Sequence, residues 1–202
     1  ECVGFGADLW LLDGPDIRFL GIPFRTRMAV ARVAGGTWLW SPVDATDERV
    51  AAVEAIGTPR HLISPNHLHH LWLAGWQERY PEATVWYPPG LPKKRPALRL
   101  DRALGELEAS PWPEIDVAVL RGSVWMDEVL FLHRPSRTLL VTDVFQNHDP
   151  TRDGWFWRGI KAMVGIAGPD GGAPMDWRMT VRDKAAARGA VETVLAWDFD
   201  RW

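Results

Sequence analysis

A chain of 202 residues, 47% hydrophobic and 24% charged, has enough apolar surface for a full core, and residues 1–202 are read as a single domain. Its net charge of −3 argues against a nucleic-acid partner, which needs a basic stripe. No apolar run reaches the roughly eighteen residues that span a membrane, and the lone Cys2 excludes an internal disulfide or a thiolate metal cluster without reporting the compartment; a cytoplasmic location is the expectation.

In chain order, Met28 to Val33 and Thr37 to Ser41 flank Gly35-Gly36 and predict a hairpin, with Trp38 and Trp40 on one strand face. Thr46-Asp47-Glu48 opens a helix with acidic residues in its first turn, and Gly57 stops it. A strand from His61 to Ser64 follows. The next helix runs from about Leu71 to Arg79, places Trp72 and Trp76 one turn apart, and ends before Pro81. Thr84 to Tyr87 reads as a strand closed by Pro88-Pro89-Gly90, and Leu91 to Pro113 as loop. Within that loop Lys93-Lys94-Arg95 forms a solvated basic group, able to attract an acidic substrate.

Ile115 to Leu120 is the next strand, followed by a hairpin of Glu128 to His133 and Thr138 to Asp143 around Arg134-Pro135-Ser136-Arg137. A long loop with one helix fills Phe145 to Arg178. Thr180 and Asp183 open a last helix that runs to about Ala196. Trp197 to Trp202 alternates apolar and charged residues as a strand does. Of thirteen tryptophans, Trp155 and Trp157 follow a loop rich in Pro, Asp and Gly; packing is the favoured reading for them, and an exposed recognition patch the other. Alternating strands and helices predict an α/β chain with helices on the outer faces of two sheets.

Three of the six histidines, His67, His69 and His70, lie within four positions at a strand end. Crowded imidazoles can share a metal ion, and a solvated polar loop is the other reading. Asp143 ends the apolar run Leu139 to Thr142, where a carboxylate must be paired, bound to a cation, or used as a cap. His133 stands at the far end of that hairpin, about 17 Å away at the strand rise, and so leaves the site. His148 follows Asp143 by a short loop and stays in it. Imidazoles with one carboxylate suit Zn²⁺, and equally an Fe²⁺ site with open positions.

The order of hairpin, helix, strand, Pro65-Asn66 with His67, His69 and His70, then Phe131 to Thr138 and Thr142-Asp143, resembles an uncharacterised branch of the metallo-β-lactamase superfamily. The resemblance covers nearly the whole chain and implies an αββα sandwich with its site at the strand ends between the sheets. Against that family's H-x-H-x-D-H motif, Pro65 replaces the first histidine, His67 keeps the second, His69 stands at the aspartate and His70 keeps the last. No histidine lies near Arg121-Gly122-Ser123, and Thr142-Asp143 replaces Gly-Asp. An ordinary two-zinc site is not expected.

The resemblance implies one ion held by His67, His70 and Asp143, with His69 or His148 completing the shell. The implied reaction is hydrolysis of an ester, thioester or amide of a small molecule by metal-bound hydroxide, with His69 as general base and Asp143 at the reacting centre. The alternative is a metal-free binding or assembly module, self-associating through the Trp155 to Trp157 segment. Trp202 is expected near the site, and if the protein continues past it, a further histidine there is expected to complete the metal shell.

Overall fold

The computed structural model describes residues 2–19 and 21–202. Its first half is laid down as β1 (Cys2–Gly6), β2 (Leu9–Asp13), the small ribbon β3 (Ile17–Phe19) and β4 (Ile22–Phe24), and the hairpin β5 (Arg27–Val33) and β6 (Gly36–Trp40). Gly35, at φ 88°, takes the left-handed turn of that hairpin, where a Cβ would be strained. Next come α1 (Asp47–Glu54), β7 (Pro59–Ile63), α2 (Leu73–Arg79), β8 (Thr84–Tyr87), the short α3 (Leu91–Lys94) and β9 (Arg102–Ala103). Seven of these strands form one sheet in the order β1-β2-β5-β6-β7-β8-β9. Strands β6 to β9 run parallel, which gives β6, β7 and β8 carboxyl ends on one edge.

A second, antiparallel sheet holds β10 (Ile115–Leu120), β11 (Glu128–His133) and β12 (Thr138–Leu140). The chain closes with α4 (Trp155–Met163), α5 (Met175–Thr180) and α6 (Lys184–Leu195). Among the described residues, no helix is long and apolar enough to cross a membrane.

Strand periodicity sorts the side chains into three layers of contact. Ala29, Ala31, Trp38, Trp40, Ile63 and Trp86 of the large sheet face Ile115, Val129, Phe131 and Leu140 of the small one. Trp112 fills the gap, edge-on to Trp38 at 5.8 Å and to Trp86 at 4.7 Å. The alternate residues Met28, Val30, Leu39, Leu62 and Val85 point outward, against Val50 and Val53 of α1 and Leu73 and Trp76 of α2. On the opposite side Ala118, Leu120 and Leu130 pack against Trp177 of α5 and Val194 of α6. The result is the expected order of helices, sheet, sheet, helices. A fully buried residue such as Phe131 contributes roughly 1.5–3 kcal/mol to this arrangement.

Local chemistry explains the element ends. Thr46 caps α1, its Oγ1 accepting from the amide of Arg49 at 3.3 Å, and Asp183 caps α6 by accepting from Ala185 and Ala186. Four sequence expectations are corrected. The stretch Leu91 to Pro113 carries α3 and β9 rather than loop alone, and Phe145 to Arg178 holds two helices rather than one. Strand β12 stops at Leu140, because the amides beyond it turn to a side chain described below. Trp197 to Trp202 is not a strand: Arg137 holds Asp198 and Asp200 in ion pairs, Trp197 and Phe199 pack against α6 and its sheet, and only Arg201 bridges to Thr138.

Candidate active site

The parallel ladder brings the ends of β6 and β7 together, so Ser41 lies beside the loop Ser64 to His70. From the facing sheet, the start of β11 and the end of β12 reach the same edge with Glu128 and Asp143. The two sheets are stitched here by backbone, with the Val129 amide donating to the Pro65 carbonyl at 2.8 Å and Asn66 bridging to Glu128.

Glu128 and Asn66 are fully buried. The Glu128 carboxyl accepts the amides of Thr142, Asp143 and Val144 at 2.7, 2.9 and 3.2 Å, which is why the strand ends and the chain turns there. Asn66 Nδ2 lies 3.1 Å from Glu128 Oε2, 3.0 Å from Thr142 Oγ1 and 2.7 Å from Asp143 Oδ2, and its Oδ1 accepts from the Leu68 amide. These contacts fix Asp143 at the mouth of the site, with a quarter of its side chain exposed.

His69 completes the arrangement. Its Nε2 is 3.2 Å from Asp143 Oδ2 and its Nδ1 is 2.6 Å from Ser41 Oγ. Ser64 Oγ, 2.9 Å from the carbonyls of Asn66 and His69, holds the loop that carries the imidazole. Burial works against the His69 imidazolium, but the Asp143 carboxylate outweighs it and holds the His69 pKa above its ordinary value. Burial likewise disfavours the charged Asp143, yet His69 and the Asn66 amide keep its pKa low. Burial and the neighbouring Asp143 push Glu128 upward. Two adjacent carboxyls thus diverge, with Asp143 the one held charged, a pattern that marks acid–base assignments.

The metal set expected from the sequence is not gathered. Among the described residues, no group of three or more His, Cys, Asp or Glu side chains is placed to hold an ion. Both nitrogens of His69 are engaged by Ser41 and Asp143. His70 turns Nδ1 to the Leu68 carbonyl at 3.1 Å and Nε2 to the Arg95 guanidinium at 3.5 Å, where a positive charge already sits. His67 rests its ring edge-on to Trp125 at 6.1 Å. His148 bonds Gln146 Oε1 at 2.9 Å and lines a separate cavity of about 410 Å³ with Asp13, Arg25 and Arg27. The donors present do not fit a resident Zn²⁺ or Fe²⁺ as placed, and no step is derived through one. Trp202 packs edge-on to Phe145 at 4.6 Å, two residues past Asp143.

Sequence reasoning missed Ser41 and the part played by Glu128. Glu128 carried the signal used for Asp143, a carboxylate against an apolar run, here Val129 to Leu132. Ser41 carried none, since a lone hydroxyl before Pro42 has no distinguishing spacing.

Burial also pulls His61, His133 and His148 below their ordinary value of 6.5, His148 to about 4. The unfolded chain takes up protons as pH falls below 6.5 while these folded imidazoles resist, so the unfolded state gains. Stability is expected to be full above that pH and to decline from 6.5 toward about 4, with His69 and the raised carboxyls of Glu128 and Asp127 opposing the trend. Urea midpoints at pH 7.5, 6 and 5 check this. A midpoint that rises on acidification contradicts it.

Residues 8–150 match the profile of the family described as "Domain of unknown function (DUF4336)". No curated protein matches the chain. Among solved structures it is similar to the DIM-1 metallo-beta-lactamase exposed to ceftazidime, at 15% identity over 96% of this chain and 97% of that one, with TM-score 0.58. It is also similar to a metallo-beta-lactamase from Pontibacter korlensis, at 12% identity over 72% of each chain and TM-score 0.57. One from Hirschia baltica matches at 15% identity over 89% and 94%, with TM-score 0.55. At such identities the likeness shows the fold, which is that of the metallo-β-lactamases.

Proposed function

The chain belongs to the DUF4336 family, whose description names no reaction, and from its site we propose that it is a cytoplasmic hydrolase of esters, thioesters or amides of small molecules. The observation that carries this reading is the imidazole of His69 suspended between a hydroxyl and a carboxylate. Asp143 accepts from Nε2–H, fixing the tautomer that leaves Nδ1 as a free base. Nδ1 takes the proton from the attacking group and returns it to the leaving group, while Asp143, kept charged by its neighbours, steadies the imidazolium between the two transfers. Asn66 and Glu128 act through Asp143 by holding its position. The test is hydrolysis of activated ester and thioester panels by the native chain and by His69→Ala. Metal analysis of protein purified without a histidine tag is the companion measurement: a stoichiometric ion on His67 and His70 would overturn these roles and restore the mononuclear metal reading.

A second reading rests on α4. Trp155 is 80% exposed and Met163 74%, so the packing favoured for Trp155 in the sequence is not what the fold supplies. Phe156, Met175 and Met179 extend the apolar surface. Exposure on this scale marks a contact face, and on this reading two copies of the chain meet there. The double variant Trp155→Ser with Met163→Ser is expected to sediment as a monomer where the native chain self-associates. A native chain that stays monomeric across the whole concentration range rejects the dimer.

A further inference from the structure

We propose that Ser41 is the nucleophile of this site, so that hydrolysis passes through an acyl group on its Oγ. The inference rests on the hydrolase reading above and adds a covalent step to it. Three independent features of the fold point to Ser41.

The first is distance. Ser41 Oγ lies 2.6 Å from His69 Nδ1, within the reach a base needs to activate a hydroxyl, and the same ring is oriented by a third group, Asp143, on its other nitrogen. The ring is used with Asp143 on Nε2 and the hydroxyl on Nδ1, and either nitrogen can serve as the base. The second is backbone conformation. Ser41 sits at φ 52°, in the left-handed region that a residue with a Cβ rarely adopts. Along β6, Trp38 and Trp40 face the second sheet and Leu39 faces the outer helices, so an extended Ser41 would continue outward with Leu39. The left-handed turn instead presents the hydroxyl to His69, and its amide is retained by the Ile63 carbonyl at 2.9 Å. Strain of this kind persists only where the surroundings enforce it. The third is enclosure. Ser41 is only 7% exposed, while His69 and Asp143 each keep a quarter of the side chain open, so a substrate enters over the imidazole and meets a hydroxyl shielded from bulk water.

The step balances without any further reactant than water. The Ser41 Oγ–H proton passes to His69 Nδ1 as Oγ bonds to the substrate carbonyl carbon. The carbon–oxygen, carbon–sulfur or carbon–nitrogen bond to the leaving group breaks, and that group takes the proton from His69. A water molecule then gives a proton to Nδ1 and bonds to the acyl carbon, the bond to Oγ breaks, and Ser41 recovers its proton. The acid product leaves the site.

The probe is diisopropyl fluorophosphate, which phosphorylates an activated serine with loss of fluoride, read by intact and peptide mass spectrometry. It is run beside turnover of p-nitrophenyl acetate. The native chain is expected to gain one adduct, on the peptide that contains Ser41, and to lose ester turnover as the adduct accumulates. Labelling should fall on the order of 10²-fold in His69→Ala and vanish in Ser41→Gly, which tolerates the left-handed backbone and so keeps the fold. Ser41→Ala, with circular dichroism as the folding control, is the second arm. If turnover depends on His69 but both Ser41 variants retain it and no adduct forms, water is the nucleophile: the Ser41 proposal is overturned and the hydrolase reading stands. If the native chain neither labels nor turns over any ester or thioester, both fall together.

Discussion

Replacing Glu128 by alanine is expected to destabilise the chain by about 3–5 kcal/mol, the range for stripping one member from a buried polar network. The variant removes the acceptor for the amides of Thr142, Asp143 and Val144 and a partner of Asn66 at one stroke. Alanine offers nothing in return, and Glu128 has no exposed surface through which water could replace the lost bonds. A loss of that size takes a large part of the roughly 5–15 kcal/mol that a domain has to spare. Urea unfolding followed by circular dichroism reads it directly, and a midpoint equal to that of the native chain contradicts the clamp. Glu82→Ala, in an exposed turn, serves as the neutral comparison.

His69→Ala is expected to do the opposite kind of damage: little to the fold and much to turnover. Its side chain is a quarter exposed and spans the site mouth rather than filling the core. Loss of a positioned base costs about 10²–10⁴-fold in kcat/KM, and that range is expected for ester and thioester alike because both need the same proton transfers. Asp143→Asn should fall in the same direction with KM nearly unchanged, since the amide no longer fixes the ring tautomer yet still fills the space. If His69→Ala hydrolyses as fast as the native chain, His69 carries no proton and the activity must be sought elsewhere on the molecule.

The backbone of this fold was largely legible in the sequence wherever local pattern decides. The hairpin of β5 and β6 announced itself through Gly35 and Gly36 between β-rich runs, and α1 through Thr46 and the acids behind it. What misled the reading was decided by distant partners. Trp197 and Phe199 alternate with charges as a strand would, but Arg137, far back in the chain, captures those charges. Thr142 and Asp143 continue an apolar run, but Glu128 takes their amides before another strand can. The site follows the same rule. His69 and Asp143 stood out by residue type and position, whereas the hydroxyl that meets His69 lies 28 residues upstream. The links from Asn66 to Glu128 and Asp143 span 62 and 77 residues. Spacing along the chain cannot report such meetings, nor that His70, His67 and His148 meet Arg95, Trp125 and Gln146.

The meeting of Asn66 with Glu128 also constrains how this family can drift. A carboxylate shortened to aspartate withdraws from three amides at once, and a side chain at position 66 without an amide NH2 removes the donor that bridges the two acidic groups. Either change alone is expected to damage the cluster, and a double-mutant cycle at positions 66 and 128 should show coupling between them. Lineages that lose one should have lost the other, and with them the fixed carboxylate at the mouth. In such descendants the sandwich can persist on its tryptophan core while the chemistry at its edge is set free to become something else.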